Sequence, residues 1–458
     1  MANQMNPIIS TPMAALSRYM SVALKRRLPP DVVEKGKHLI LDTLAAMVSG
    51  SRLPPGKIAI SYVRTLGGKP EACVAGTRLL TSVANAALAN GMLGHTDETD
   101  DSHAPSHTHP GCGVIPAALA IAERHARDGR SFLRAVVLGY DVCCRSTQAL
   151  GATKSWHKGL STHGMGGTFG AAAAAGTLLG LKARELRYML SYAAQQASGM
   201  SCLVRDVDHI EKAFDIGGMP AHQGVLAATM AAHGFTGLDD VFSGERNFIS
   251  TYAIDPDPDE LARDLGKRFE IMNTNVKKWC VGSPIQAGLD SLSALMKEHR
   301  ITGADVAKLV VRVDPRGAAI VNNRPMPDIN MQHMLAVMLL DGTASFQAAH
   351  DVKRMKHPRV LAMKQHIELT AMPELTDARP RRQGIVEITT HDGRTLAHRT
   401  YAVRGTADNP MPRQEVEDKA RDLLAPVLGV KHAQALIDAI WNIERLRNVR
   451  ELRTLLRA

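Results

Sequence analysis

The chain has 458 residues, of which 45% are hydrophobic and only 4% aromatic. It is too long for one ordinary core and too poor in aromatics for stacked β-sheets, so tightly packed helices in two domains are expected. The net charge is +10, but the basic residues are scattered. Without a Lys/Arg run, a zinc-finger spacing or an RNA-binding aromatic signature, the common nucleic-acid-binding classes are excluded.

Cys73, Cys112, Cys143, Cys144, Cys202 and Cys280 include no CxxC pair, which fits a reducing compartment rather than a disulfide framework. The N-terminal residues lack the charged start, apolar run and cleavage site of a leader, and no uncharged apolar stretch reaches about 18 residues. A cytoplasmic protein without a membrane span is therefore expected.

Taken in chain order, Pro29-Pro30 is followed by Asp31, placed to cap a helix whose apolar face runs from Val32 to Val48. Ser82–Leu93 and Val114–His125 read as helices. Residues 169–180, rich in Ala and Gly, read as a helix packed on all sides. Gly217-Gly218 reads as a tight turn. After about 265 the pattern changes. Val306–Val313 alternates as a strand, and 384–403 forms a hairpin around Asp392-Gly393. Helices are expected at 330–341 and 346–364, and again after Pro410. The fold class is thus mainly α: a large all-helical domain (1–267, completed by 403–458) and a smaller α+β lid domain (268–402).

The densest polar cluster runs from His95 to His109 and holds four histidines and four acids between two apolar helices. Loops braced in this way commonly carry catalytic groups. Asp and His also suit Zn, Mn or Fe, which leaves a metal-dependent hydrolase as a competing class. However, no HExxH, facial-triad or EF-hand spacing is present. A solvated loop is the plain alternative.

This segment resembles the MmgE/PrpD family. His95, Asp100, Asp101, His103, Pro105, Ser106, His109 and Pro110 fall in register with its motif, followed by the matching helix Val114–Glu123. Glu98, Thr99 and Ser102 replace the family's Asp, Phe and Thr. Three further segments resemble the family in the same order: Ser161–Gly170, Lys212–Gly224 and Lys277–Gln286. His157 and His163 compete for the family's histidine. Lys278 and Cys280 fit the last segment, whereas Gln286 stands where the family has His. The resemblance implies a homodimer with no required cofactor or metal. It also implies an enzyme acting on small polycarboxylates, as 2-methylcitrate dehydratases, cis-aconitate decarboxylases and iminodisuccinate epimerases do.

Removing a proton α to a carboxylate needs a base and several donors at the developing negative charge. The expected assignment has Lys212 and Lys278 clamping carboxylates and His109 and His163 moving protons. Glu98, Asp100 or Asp101 tunes them, and Ser102 positions the substrate. Asp101, His103, Gln286 and Arg324 are candidate substrate-binding residues. Gln286 cannot act as an acid or base but can bind a carboxylate. The simplest activity is a hydro-lyase of the 2-methylcitrate dehydratase kind. The alternatives are an epimerase of an imino- or aminodicarboxylate and a decarboxylase of a cis-aconitate-like acid. The expected partner is a small anionic carboxylate, with no nucleic acid or membrane.

Overall fold

A computed structural model describes residues 9–458. The leader reading rests partly on residues 1–8, which lie outside the described residues. The fold is mainly α with a smaller α+β portion. No helix among the described residues is long and apolar enough to cross a membrane. The chain divides into two compact units. One takes the described residues up to Thr96, then Asp100–Thr274 and Leu423–Ala458. The other takes Asp97–Thr99 and Asn275–Asp422.

The first unit is built around the helix Thr162–Leu179, in which Ala171 to Ala175 are wholly buried. Ser161 begins it by accepting from the Gly164 amide at 3.2 Å, and Gly180, at φ 80°, ends it. It packs against Pro110–Arg124, Gly129–Gln148 and Met219–Ala232. Small residues allow this closeness. A Cβ on Gly170 would stand 2.6 Å from the Gly139 carbonyl oxygen, so only glycine lets the two backbones meet there.

Two local expectations change. Asp31 is not the cap of its helix: Pro29 takes that place, Pro30 opens the helix Pro30–Gly50, and Asp31 sits in its first turn. Proline without an N–H suits that opening, and a carboxylate in the first turn complements the helix dipole. Gly217-Gly218 is not a turn but belongs to a π-helical segment, Phe214–Gly218. Gly217 is required because a Cβ there would fall 2.1 Å from the Gly91 carbonyl oxygen. That contact seats the π segment on the helix Val83–Gly94.

In the second unit a four-stranded sheet has the order Ile367–Ala371, Val306–Val313, Gly384–Thr390, Thr395–Thr400. The first pair is parallel and the others antiparallel. Val306, Leu309, Val311 and Val313 point into a core shared with Leu289, Leu292, Met334, Leu335 and Met338. The helices Gln286–His299 and Met331–Asp341 supply the latter five. Each such aliphatic side chain stabilises the unit by roughly 1.5–3 kcal/mol. The expected single helix at 346–364 is broken into Phe346–His350, a 3₁₀ turn Lys353–Lys356, and Pro358–Lys364. Pro358 lacks the N–H a continuous helix needs and starts a new one.

Candidate active site

The loop from His95 to His109 hangs between two helices of the first unit. His95 caps the C-terminus of Val83–Gly94, and its N–H donates to the Met92 carbonyl at 3.1 Å. His109 precedes the helix Pro110–Arg124, where Pro110 fits the first position.

Asp101 fastens the far end of the loop. Its carboxyl accepts from the Tyr140 hydroxyl at 2.5 Å and from the Gly111 amide at 3.1 Å. Burial, reinforced by the neighbouring Asp100 charge, pushes Asp101 up to about 7. A bridge between His103 and Thr108 closes the turn. The His103 Nδ1 lies 2.7 Å from the Ser106 hydroxyl, and its Nε2 lies 3.3 Å from Glu270 in an ion pair. Arg268 contacts Glu270 at 2.7 Å. Asp101 and His103 are both wholly buried and engaged with protein partners. These contacts brace the loop.

The chemistry gathers around Asp100. One carboxylate oxygen lies 2.9 Å from Nδ1 of His95, and the other lies 3.2 Å from Nδ1 of His109. Burial works against the Asp100 charge, but the two imidazoles outweigh it and hold the carboxyl well below its usual range. The His109 ring centroid lies 4.9 Å from His95 and 5.1 Å from His163. The His209 ring is 5.2 Å from His95, and Trp156 stands edge-on to His163 at 4.8 Å. Burial, then repulsion from His109, His95, His107 and Lys212, drives the His163 imidazole well below the usual range, so it is neutral. Its Nδ1 and the Nε2 of His95 are buried with no hydrogen-bond partner.

His163 thus joins the cluster, whereas His157 is exposed with its ring 6.5 Å from His107. Lys212 follows His209 in the short helix Ile210–Ala213, immediately before the π segment. Its charge acts on both His95 and His163. Single π turns often mark functional positions in helices. Ser102 is half-buried beside Asp101.

His95, Asp100 and His109 also offer ligand atoms that all lie within 4.8 Å of one another, a spacing open to a cation. The two Nδ1–carboxylate contacts already satisfy Asp100 from within the protein.

In the second unit, Glu98 is buried beside Lys277. The ammonium donates to the Glu98 carbonyl at 2.8 Å and lies 3.5 Å from its carboxylate. Arg382 adds a further positive charge that acts with Glu98. Lys278 does not take this place. Its Nζ sits 4.6 Å above the Trp279 ring. Gln286 is not available for a substrate carboxylate. Its amide nitrogen donates to the Trp279 and Val281 carbonyls at 2.8 and 2.9 Å, and its oxygen accepts from the Trp279 amide at 3.2 Å. Arg324 is exposed, and its carbonyl accepts from Asn330.

The sequence reading left His95, His209 and Lys277 out of the candidate set. His95 sits five residues before Asp100 across a helix end, and the register of its motif was the only signal for it. His209 shows no pattern at all, and adjacent lysines cannot be told apart by spacing.

The comparisons with known proteins cover the same ground. Residues 14–261 match the MmgE/PrpD N-terminal domain, and 279–445 match the MmgE/PrpD C-terminal domain. The chain is 26% identical over 450 residues to a cis-aconitate decarboxylase of Homo sapiens, covering 93% of this chain and 90% of that protein. It is 23% identical over 466 residues to a cis-aconitate decarboxylase of Aspergillus terreus, covering 94% and 92%. A cis-aconitate decarboxylase of Mus musculus is 24% identical over 451 residues, covering 93% and 89%. With both family domains matched in order over most of its length, the chain belongs to the MmgE/PrpD family.

Proposed function

We propose that this protein is a carboxylic-acid lyase that decarboxylates a small unsaturated polycarboxylate of the cis-aconitate kind, without a metal or organic cofactor. The observation that carries this reading is the end-to-end similarity to cis-aconitate decarboxylases, together with the Asp100-bridged histidines. It displaces the dehydratase as the preferred activity.

Decarboxylation breaks a C–C bond and leaves its electron pair on carbon. In a conjugated acid that pair moves through the C=C bond, and one proton must then arrive on carbon. Carbon dioxide leaves, and the product carries one carboxylate fewer. Asp100 contacts Nδ1 of both His95 and His109 and so orients the two imidazoles for proton transfer. Neutral His163 relays or accepts the proton, and Lys212 binds a remaining substrate carboxylate as a compact positive charge. We take the working form to be a cytoplasmic homodimer whose partner is the small anionic acid, with no nucleic acid or membrane.

The test offers purified protein cis-aconitate and 2-methylcitrate in parallel, following carbon dioxide release and the absorbance of a new C=C bond. Release of carbon dioxide from cis-aconitate supports the reading. Elimination of water from 2-methylcitrate with no carbon dioxide from cis-aconitate restores the dehydratase.

A further inference from the structure

Three consecutive loop residues, Asp97, Glu98 and Thr99, belong to the second unit although the residues on either side belong to the first. All three are buried. Each is held by a different basic side chain from far along the sequence. His350 Nε2 lies 2.8 Å from the Asp97 carboxylate, Lys277 donates to the Glu98 carbonyl at 2.8 Å, and Lys419 donates to the Thr99 carbonyl at 2.9 Å. Lys277 and Lys419 are themselves buried.

The contacts are oriented as well as close. His350 Nδ1 lies 2.7 Å from the Phe346 carbonyl, and the His350 ring packs on the Phe346 ring at 4.2 Å. Nδ1 therefore donates to that carbonyl, and Nε2, protonated as well, faces the Asp97 carboxylate, which helps to raise the imidazole to about 9. Asp97 also accepts from the Thr99 amide at 3.1 Å and from its hydroxyl at 2.5 Å, which folds the three residues into a tight turn. The charged groups acting around this turn are Asp328 on His350, and Asp97, Lys419 and Asp422 on Cys280.

A main-chain carbonyl can be satisfied by water or by another amide at little cost. Burying a lysine ammonium for the same task is expensive unless its position matters. Here two lysines do this on successive residues, and a histidine holds the side-chain carboxylate of the residue before them. The middle residue of the three is Glu98, and the segment passes directly into Asp100.

We infer that His350 and Lys419 are positioning residues: through the Asp97 carboxylate and the Thr99 carbonyl they clamp the turn 97–99 and so fix the direction of the Glu98 carboxylate. Neither touches the reacting atoms. The activity readout of this inference rests on the lyase reading above, whereas its conformational readout does not.

The test compares the full-length wild type with Lys419→Met, Lys419→Arg and His350→Asn. Amide hydrogen exchange of peptides spanning 93–103 is measured alongside kcat and KM on cis-aconitate. Lys419→Met and His350→Asn are expected to speed exchange in that segment by about tenfold or more while leaving the sheet Val306–Val313 protected. They are expected to lower kcat by about 10–100-fold with KM changed less than about threefold, since small misplacements act on the chemical step. Lys419→Arg, which keeps the donor, restores both. Wild-type exchange and kcat in both variants overturn the inference. So does faster exchange spread through the whole second unit, which marks a general stability role, or altered exchange with unchanged kcat. If the wild type releases no carbon dioxide from cis-aconitate, the lyase reading falls, and the exchange data still decide whether the clamp exists.

Discussion

Nδ1 of His95 lies 2.9 Å from the Asp100 carboxylate, and both side chains are wholly buried where an Ala-rich helix ends. The second Asp100 oxygen holds His109 in the same manner at 3.2 Å. One carboxylate therefore sets the tautomer of two imidazoles, leaving each Nε2 for other work. His163 stands on the far side of His109, and burial keeps it neutral.

Asp100→Asn keeps the shape but cannot accept from both imidazoles with equal strength, so it loosens the orientation of His95 and His109. We expect kcat to fall by about 10²–10⁴-fold, the range typical of lost acid–base catalysis. Steady-state kinetics beside a thermal melt will separate this from unfolding. A kcat within about threefold of the wild type contradicts the assignment.

Lys277→Met removes the ammonium that lies 3.5 Å from the buried Glu98 carboxylate. Breaking a buried pair typically costs roughly 3–5 kcal/mol. A clear loss in melting temperature is expected together with lost activity. Lys278→Met removes a cation stacked on Trp279, an interaction worth roughly 0.5–1 kcal/mol at exposed sites. Its effect should be much the smaller of the two in both measurements. The reverse order would return Lys278 to the role the sequence suggested.

Asp101 gives a pH signature. Its folded-state value is about 7, against 3.8 for the ordinary group. Between these values the unfolded chain releases the proton and the folded chain keeps it. The stability this group contributes is therefore greatest below about 4 and is lost as the pH rises towards 7. Asp101→Asn cannot ionise. Relative to wild type, its melting temperature should rise between pH 4.5 and pH 7.5. A constant difference across that range shows that Asp101 is not shifted.

The His95, Asp100 and His109 triplet has a spacing open to a cation, so metal dependence is a direct test. Exhaustive chelation is expected to leave activity intact. Loss of activity that Zn or Mn restores makes the loop a metal centre instead.

Much of the fold was legible in the sequence because period and composition reflect burial directly. The alanines at 171–175 announced a helix buried on all sides, and Asp392-Gly393 announced the hairpin, where Gly393 has φ 86°. The strand Ile367–Ala371 was not legible. Ile-Glu-Leu-Thr-Ala is short and half exposed, and its pairing partner lies some sixty residues earlier. In the site, His109, His163 and Lys212 stood out through their motifs. The long-range partners did not. That Gln286 is consumed by the backbone around Trp279, that Tyr140 holds Asp101, and that Lys277 rather than Lys278 meets Glu98 all depend on tertiary geometry.

The most direct measurement uses cis-aconitate labelled with carbon-13 at its carboxyl groups, in deuterated buffer, with wild-type protein and His163→Gln. The account predicts labelled carbon dioxide and one deuterium on a product carbon with the wild type, both strongly reduced in the variant. Wild-type protein that exchanges or dehydrates related acids without releasing labelled carbon dioxide, or a variant as fast as wild type, contradicts it.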